Sequence, residues 1–436
     1  MKRLDWKKRV IMALTVFSMF FGAGNLIFPP YLAFESGSSF IPALLGFFIT
    51  AIGFPVLGLL AVGYSSGLRE LGNKVHPVFG FLFAFALYLS IGPLLAIPRT
   101  AGTSWEMVSS SFCLESPLLR VLYSIVFFSL SAFIAKEPQK FTTRLGKILC
   151  PVLLVMITLL FVGSFSIKDS GLISGSDKYS LSPFTTGMTD GYQTMDAIAA
   201  IVFGIVITIN IKNLGVEDKK DILREEKYAG LLSIIPFVLI YSFLAYVGRK
   251  SAYINPGATN GAQLLSSISG RVYGKAGSIL ISLIFIVACF NTSTSLLSSV
   301  SEFFSSSFPR IKQSIWIVIF ALSSMIFSNL GLDLILKISV PILNLLYPVT
   351  ITLILLEIIP YTRNRRIFFT VSGIVSFVSS LLEMTMPETI HSILPFFPKD
   401  FLWAFITLIS VIIVIFLSLY KEHKTLQIRK SRGSEE

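Results

Sequence analysis

Apolar runs, each close to the roughly 20 residues a helix needs to cross a bilayer, recur along the chain with short polar segments between them. In the first half they predict spans near 10–30, 39–63, 77–98, 118–135 and 146–165. A polar stretch rich in Ser, Gly and Asp, 166–190, is expected as an external loop. The second half predicts spans near 191–211, 229–248, 276–297, 314–330 and 335–359, and two more follow near 367–384 and 401–420. No alternation of period two competes with these runs, so the expected fold is all-α: an integral membrane protein of about twelve transmembrane helices. Residues 1–9 and 421–436 are left as polar ends.

Composition agrees with a lipid solvent. Charged residues make up 14% of the 436, against 53% hydrophobic, whereas soluble domains carry about 25% charged residues. The net charge of +12 does not point to nucleic acid, because Lys and Arg cluster in the short segments between apolar runs. With the N-terminus inside, 26 of them fall on the inner side and nine on the outer, Arg99 being counted among the nine. That bias predicts a multi-pass protein of a bacterial inner membrane with both ends cytoplasmic. The basic tail from Lys421 is expected in solvent or against anionic headgroups. No cleavable signal peptide is read at the start, where Gly22, Asn25, Pro29 and Pro30 interrupt the first run. Cys113, Cys150 and Cys289 form neither a metal spacing nor a disulfide framework, and His76, His391 and His423 all fall in loops outside the spans. No catalytic triad, nucleotide-binding loop or zinc motif is present, so no enzyme, no cofactor and no obligate protein partner is expected. Transport, if that is the task, would run on an ion gradient.

Candidate chemistry lies inside the spans. Residues 20–30, FFGAGNLIFPP, put two glycines and an asparagine halfway across the first span. Glycine weakens a helix by about 1 kcal/mol relative to alanine. Unwound backbone at that depth survives only when buried in protein or lining a cavity. Either a broken helix offering N–H and C=O groups to ligands or a small-residue packing face fits these residues. Residues 191–204, GYQTMDAIAAIVFG, carry Asp196, a carboxylate well inside an apolar run. It can meet a substrate ammonium, cap a broken helix or tie two helices together. The Phe203–Gly204 pair is expected as a second interruption, in the span corresponding to the first if two five-helix units repeat. In the eighth span, the uncharged polar run 291–295 singles out Asn291 and Thr292 as oxygen donors for a hard monovalent cation. Pro93 and Pro98 bend the third span, Arg99 is expected at the interface, and Lys337 and Glu357 are expected to snorkel from span ends.

Together with IGPLLAIPRTA at 91–101 and SVPILNLLYP at 339–348, those two motifs resemble, in order and spacing, the bacterial branched-chain amino acid carriers. These are the liv-type cation symporters of the amino acid–polyamine–organocation superfamily, and the resemblance runs from about residue 8 to residue 420. It implies a LeuT-type fold, with inverted five-helix repeats at 10–165 and 191–359, helices 1 and 6 broken, and two added helices in 360–420. It implies that Ala23 and Gly24 amides face a substrate carboxylate and that Asn25 lends an oxygen to substrate or ion. Asp196, Phe203 and Gly204 complete the substrate side, with Phe203 and residues of the third span receiving an aliphatic side chain. Phe21, Ala288, Asn291 and Thr292 would surround sodium, although an amide at 291 departs from the hydroxyl usual in relatives. The implied activity is import of leucine, isoleucine and valine coupled to a cation, most simply Na+. Proton coupling through Asp196 and a non-transporting amino acid sensor are the alternatives. A carrier of this kind requires helices 1 and 6 to be unwound face to face at one depth.

Overall fold

The computed structural model describes residues 4–65, 67–114, 116–136, 138–167, 175–359, 365–386 and 401–416. The expected tail 421–436, the end of the last span beyond 416 and His391 and His423 lie outside the described residues. Among those described, the chain is helical with no strand. The first five-span unit consists of α1 (Trp6–Phe20), α2 (Ala23–Ser36), α3 (Phe40–Phe48), α4 (Phe54–Ser65), α5 (Leu68–Asn73), α6 (Pro77–Leu89), α7 (Ala96–Phe112), α8 (Pro117–Ala135) and α9 (Pro138–Ser164). The second consists of α10 (Pro183–Tyr192), α11 (Asp196–Asn213), α12 (Lys219–Ser251), α13 (Gly261–Ser307), α14 (Gln313–Ser328) and α15 (Leu332–Ile358). Two further helices follow, α16 (Arg365–Thr385) and α17 (Leu402–Phe416).

Eight stretches among the described residues are long and apolar enough to cross a bilayer. One of them, Ala23–Ser65, turns back at Gly37, whose φ of 53° suits a residue without a β-carbon, and so serves two spans. With the shorter apolar helices Pro151–Ser164, Gln313–Ser328 and Leu402–Phe416, these give the twelve spans. Large apolar side chains such as Leu118, Val126 and Phe133 on α8 stay exposed, as lipid-facing residues should.

Two faces can be told apart. Arg9 of α1 meets Glu225 of α12 at the face where the N-terminus lies, the terminal face. The α2–α3 turn and the carboxyl end of α12 lie at the opposite, far face, where Gly248 abuts the Pro30 carbonyl. α12 packs along α1, α2 and α4, α10 lies against α3 and α11 against α4; α13 packs on α7 and α14 on α8. Small residues let these backbones approach. A β-carbon on Gly187 of α10 would sit 1.9 Å from the Ala43 carbonyl oxygen of α3.

Three expectations are corrected. Helix 6 begins at Pro183 rather than near 191, so α10 occupies the end of the stretch expected as loop. Its Thr and Gly content lowers hydropathy, but Pro183 sits at its first turn and Gly187 gives it a close seat on α3. The third span continues past the π-turn Ser90–Leu94, where Gly92 is non-helical, and runs on to Phe112. Glu357 does not snorkel: it is 4% exposed and paired with Lys74 and, at 2.9 Å, with Arg365.

Replacing Gly187 with valine must force α10 off α3. The expected cost is about 1–3 kcal/mol, read as a lower thermal midpoint of the purified protein in detergent. Gly257→Ala, where nothing lies within 4 Å of the new carbon, should leave the midpoint unchanged.

Candidate functional site

Helix 1 breaks where its sequence is weakest. α1 ends at Phe21, whose N–H still bonds the Phe17 carbonyl, and Gly22 is fully extended (φ −129°, ψ −157°) before α2 starts at Ala23. The Asn25 side chain folds back so that its Oδ1 accepts from the Gly22 N–H at 3.0 Å. Helix 6 breaks at Gln193–Met195, with Met195 in the left-handed region (φ 65°). A non-glycine residue held there carries strain of order 1 kcal/mol. The interruption expected at Phe203–Gly204 is therefore misplaced by about ten residues; α11 runs unbroken through both. Gly204 instead packs against Val62 of α4, where a β-carbon would come within 2.8 Å.

The two breaks face each other at one depth. A β-carbon on Gly24 would lie 3.1 Å from Thr194 Cα and 3.3 Å from the Gln193 carbonyl oxygen. Around this contact is a small cavity of about 20 Å³, whose lining includes Gly22, Ala23, Gly24, Asn25, Asp196 and Thr292. Apolar lining comes from Phe20, Ile91, Ala96, Ala199, Phe203 and Leu296. That volume holds about one water molecule. Admitting anything larger requires the walls to part.

Asp196 ties helices together. The Asn25 Nδ2 group donates to Asp196 Oδ2 and to the Tyr241 hydroxyl of α12, and the Tyr241 hydroxyl donates to Asp196 Oδ2 at 3.2 Å. Broken spans 1 and 6 and span 7 thus share one buried hydrogen-bond cluster, with Asp196 at 3% exposure.

On the other side of the break, α13 meets α1. Asn291 Nδ2 donates to the Ser18 carbonyl at 2.7 Å and also contacts Ser18 Oγ at 3.2 Å, so its Oδ1 is turned away from them. Among the described residues, Asn291 Oδ1 and Thr292 Oγ1 are buried acceptors without a hydrogen-bond partner. Thr292 lies against Gly22, its Oγ1 2.5 Å from where a β-carbon on that glycine would be. Fully buried Ala288 is one turn earlier on α13, and buried Phe21 caps α1. Neither Phe21, Ala288 nor Asn291 lines this cavity itself. In the same run Thr294 bonds back to the Phe290 carbonyl, while Ser293 Oγ is a further buried oxygen without a hydrogen-bond partner. Two orphaned oxygens beside the end of α1 form a donor set suited to a small monovalent cation.

Sequence reasoning missed Arg99. It is not at the interface but 3% exposed at the cavity, in the first turn of α7 after the bend at Gly92 and Pro93. Its Nη1 donates to the Gln193 carbonyl at 2.6 Å and its Nη2 to the Thr194 carbonyl at 3.4 Å. A cation flanked by apolar residues in the third span was the available signal, but the chain-order charge count assigned it to the outside.

The far face opens into a cavity of about 330 Å³ lined by Phe28, Tyr31, Gln193, Asn260, Asp333 and Lys337. Phe28 and Gln193 form its floor toward Arg99, whose guanidinium carbon is 5.5 Å from the Phe28 ring centroid. At the rim, Lys178 pairs with Asp190 at 2.7 Å, and the Tyr179 hydroxyl also donates to Asp190. Burial, reinforced by Asp190, holds the Tyr179 phenol well above its ordinary range, so it remains a donor. At the terminal face Arg9 Nε and Nη2 each donate at 2.7 Å to the two Glu225 oxygens, with the guanidinium stacked 4.2 Å over Tyr228, tying α1 to α12.

Residues 5–421 match the family model described as branched-chain amino acid transport protein. The branched-chain amino acid permease BraB of Bacillus subtilis (strain 168) is 36% identical over 366 residues, covering 83% of this chain and 82% of that one. Among solved structures, MhsT in complex with L-phenylalanine superposes with a TM-score of 0.60 at 16% identity, covering 94% of this chain and all of that one. A Na+-coupled sialic acid symporter in a substrate-bound outward-open state gives 0.60 at 17% identity, covering 93% and 88%. The fold is that of the LeuT-type transporters, all-helical with helices 1 and 6 discontinuous.

The cluster at Asp196 should be stability-bearing. Asn25→Ala strips Asp196 of a donor and the Gly22 N–H of its acceptor. Leaving buried groups unsatisfied costs about 1–3 kcal/mol, so the thermal midpoint in detergent should fall clearly further than for Tyr241→Phe.

Proposed function

From the premise that the chain belongs to the branched-chain amino acid transport protein family, whose members are membrane transporters and not enzymes, we infer that it imports leucine, isoleucine and valine together with sodium. It does so by alternating access. The observation that carries this reading is the meeting of two unwound segments at one depth, around a cavity lined by both polar and apolar residues.

Each part of the substrate has a counterpart. The substrate carboxylate lies at the amino end of α2, where the Ala23 and Gly24 N–H groups and the helix dipole favour negative charge. The ammonium takes peptide carbonyls at the end of α1 and the field of Asp196, with Asn25 holding that carboxylate in place. The aliphatic side chain rests on Phe203, Phe20 and Ile91. Each buried CH2 there contributes about 0.8 kcal/mol.

Sodium sits between α1 and α13, with carbonyls near Phe21 and Ala288 joining Asn291 Oδ1 and Thr292 Oγ1. Supporting this are the two orphaned oxygens: Asn291 spends its donor on Ser18 and so presents only an acceptor to the ion. An amide oxygen in place of a hydroxyl is a competent ligand for such an ion. A cation bridging α1 and α13 stabilises the arrangement in which the substrate site is formed, which couples the two ligands.

The terminal face is the cytoplasmic one and the far cavity is the periplasmic entrance of an inner-membrane protein. The excess of Lys and Arg in the segments on the terminal side supports this orientation. Substrate then enters from the far cavity, and release requires the Arg9–Glu225 pair to open.

Uptake of labelled leucine into vesicles carrying the reconstituted protein tests the reading. An inward sodium gradient should drive accumulation; gradient-independent behaviour for every aliphatic amino acid would overturn it. Uptake that persists without sodium and collapses with a protonophore would move the coupling to a proton on Asp196. Thr292→Ala should raise the sodium concentration for half-maximal uptake about tenfold, the equivalent of one lost ligand at about 1.4 kcal/mol, while leucine uptake at saturating sodium changes little.

A further inference from the structure

Arg99 is the buried charge that the reading above leaves without a task. Its hydrogen-bond partners are neutral, the Gln193 and Thr194 carbonyls accepting from the two terminal nitrogens, with Phe28 beside the guanidinium, and the Asp196 carboxylate acts on it only through its field. Its Nε has no hydrogen-bond partner, and among the described residues Arg99 is in no ion pair. The nearest acid at the cavity, Asp196, is engaged by Asn25 and Tyr241 instead. An ionised side chain at mid-membrane held by carbonyls, with no counter-charge in contact, is costly, and such residues mark candidate ligand sites.

The position of the guanidinium says which ligand. Its Nη2 is 2.9 Å from where a β-carbon on Gly24 would be, so it lies directly against the first turn of α2. There the free N–H groups of Ala23 and Gly24 and the positive end of the helix already favour an anion. Two independent anion-attracting features, a helix terminus and a buried guanidinium with an unspent N–H, converge on one wall of one cavity.

On the transport reading given above, we propose that Arg99 binds the carboxylate of the transported amino acid, in partnership with the amino end of α2. The empty site keeps the guanidinium occupied with the Gln193 and Thr194 carbonyls. Arriving carboxylate replaces them as the charged acceptor, because a charge-assisted bond is stronger than one to a neutral carbonyl. The exchange frees the unwound segment of helix 6, so substrate arrival is felt directly at the break. A β-carbon at 24 would displace the guanidinium tip and crowd the Thr194 and Gln193 backbone, so glycine leaves this wall open.

A purely structural staple between α7 and helix 6 would weaken binding of all ligands alike when removed, whereas a carboxylate ligand discriminates by charge. The experiment therefore compares leucine with leucinamide, which keeps the ammonium and the side chain but lacks the carboxylate. Binding of each to the purified full-length protein in saturating sodium is measured for the wild type, Arg99→Gln and Arg99→Lys, with thermal midpoints as the check on folding. The wild type should prefer leucine by about thirtyfold or more, the scale of one lost charge-assisted contact. Arg99→Gln should lose that preference by binding leucine more weakly while leucinamide binding stays nearly level, and Arg99→Lys should retain part of it. A folded Arg99→Gln protein with the full preference intact overturns the assignment. If Arg99→Gln does not fold, an undiminished preference in Arg99→Lys overturns it, since a point charge cannot reproduce the planar fork. A wild type that binds neither compound defeats the transport reading and this assignment with it; a wild type that transports leucine while the variants keep the preference defeats this assignment alone.

Discussion

Everything at the centre of this protein follows from one constraint: a peptide group buried in a membrane has no water to bond. Breaking two helices at the same depth releases several such groups, and the structure accounts for them one by one. The Gly22 N–H goes to the Asn25 side chain, the Ser18 carbonyl to Asn291, and the Gln193 and Thr194 carbonyls to Arg99. Each of these polar side chains would be expensive alone in an apolar span. Paired with a broken helix, each resolves the debt of the other, and the site is what the pairing leaves open.

The spans themselves were legible because hydropathy records a solvent, and the solvent here is lipid on every outer face. The first break was legible too, since glycine on either side of Ala23 weakens a helix locally whatever surrounds it. The break in helix 6 was looked for at Phe203–Gly204 because glycine again seemed the natural place. It lies at Gln193–Met195, which contains no glycine, because it is imposed from outside: Arg99 captures two carbonyls and Met195 is held at a positive φ. A tertiary cause leaves no local trace. Arg99 was misread for a related reason, as counting charges in chain order assigns them to loops, and only the path of the third span past Gly92 carries this one inward. Asp196 was recognised as costly, but which of its possible partners it takes depended on where Asn25 and Tyr241 fall in space. Asn291 and Thr292 stood out from the neighbouring serines by position alone; the orphaned oxygens that support a role for them are visible only once the Ser18 carbonyl is in place.

The helices also sort by what they hold. Spans 1, 2, 6 and 7 pack on one another through α12 and through the small-residue seat of α10 on α3, while α7 and α13 press together as the opposing wall. The side-chain links named at the site divide accordingly. The Asn25–Asp196–Tyr241 cluster lies wholly within the first group, so its bonds do not depend on how α7 and α13 sit against it. The Arg99 and Asn291 bonds cross from the second group to the first.

Those two crossing bonds bear on an economy that the binding site alone does not address. If the walls were to shift with nothing bound, Arg99 would forfeit its carbonyls and Asn291 its hold on Ser18, and no ligand would be there to receive either. The barrier to that idle stroke is the desolvation of a guanidinium and an amide together. On the coupled-transport reading proposed above, the pair would act as a brake against slippage, sparing the driving gradient cycles that carry no cargo.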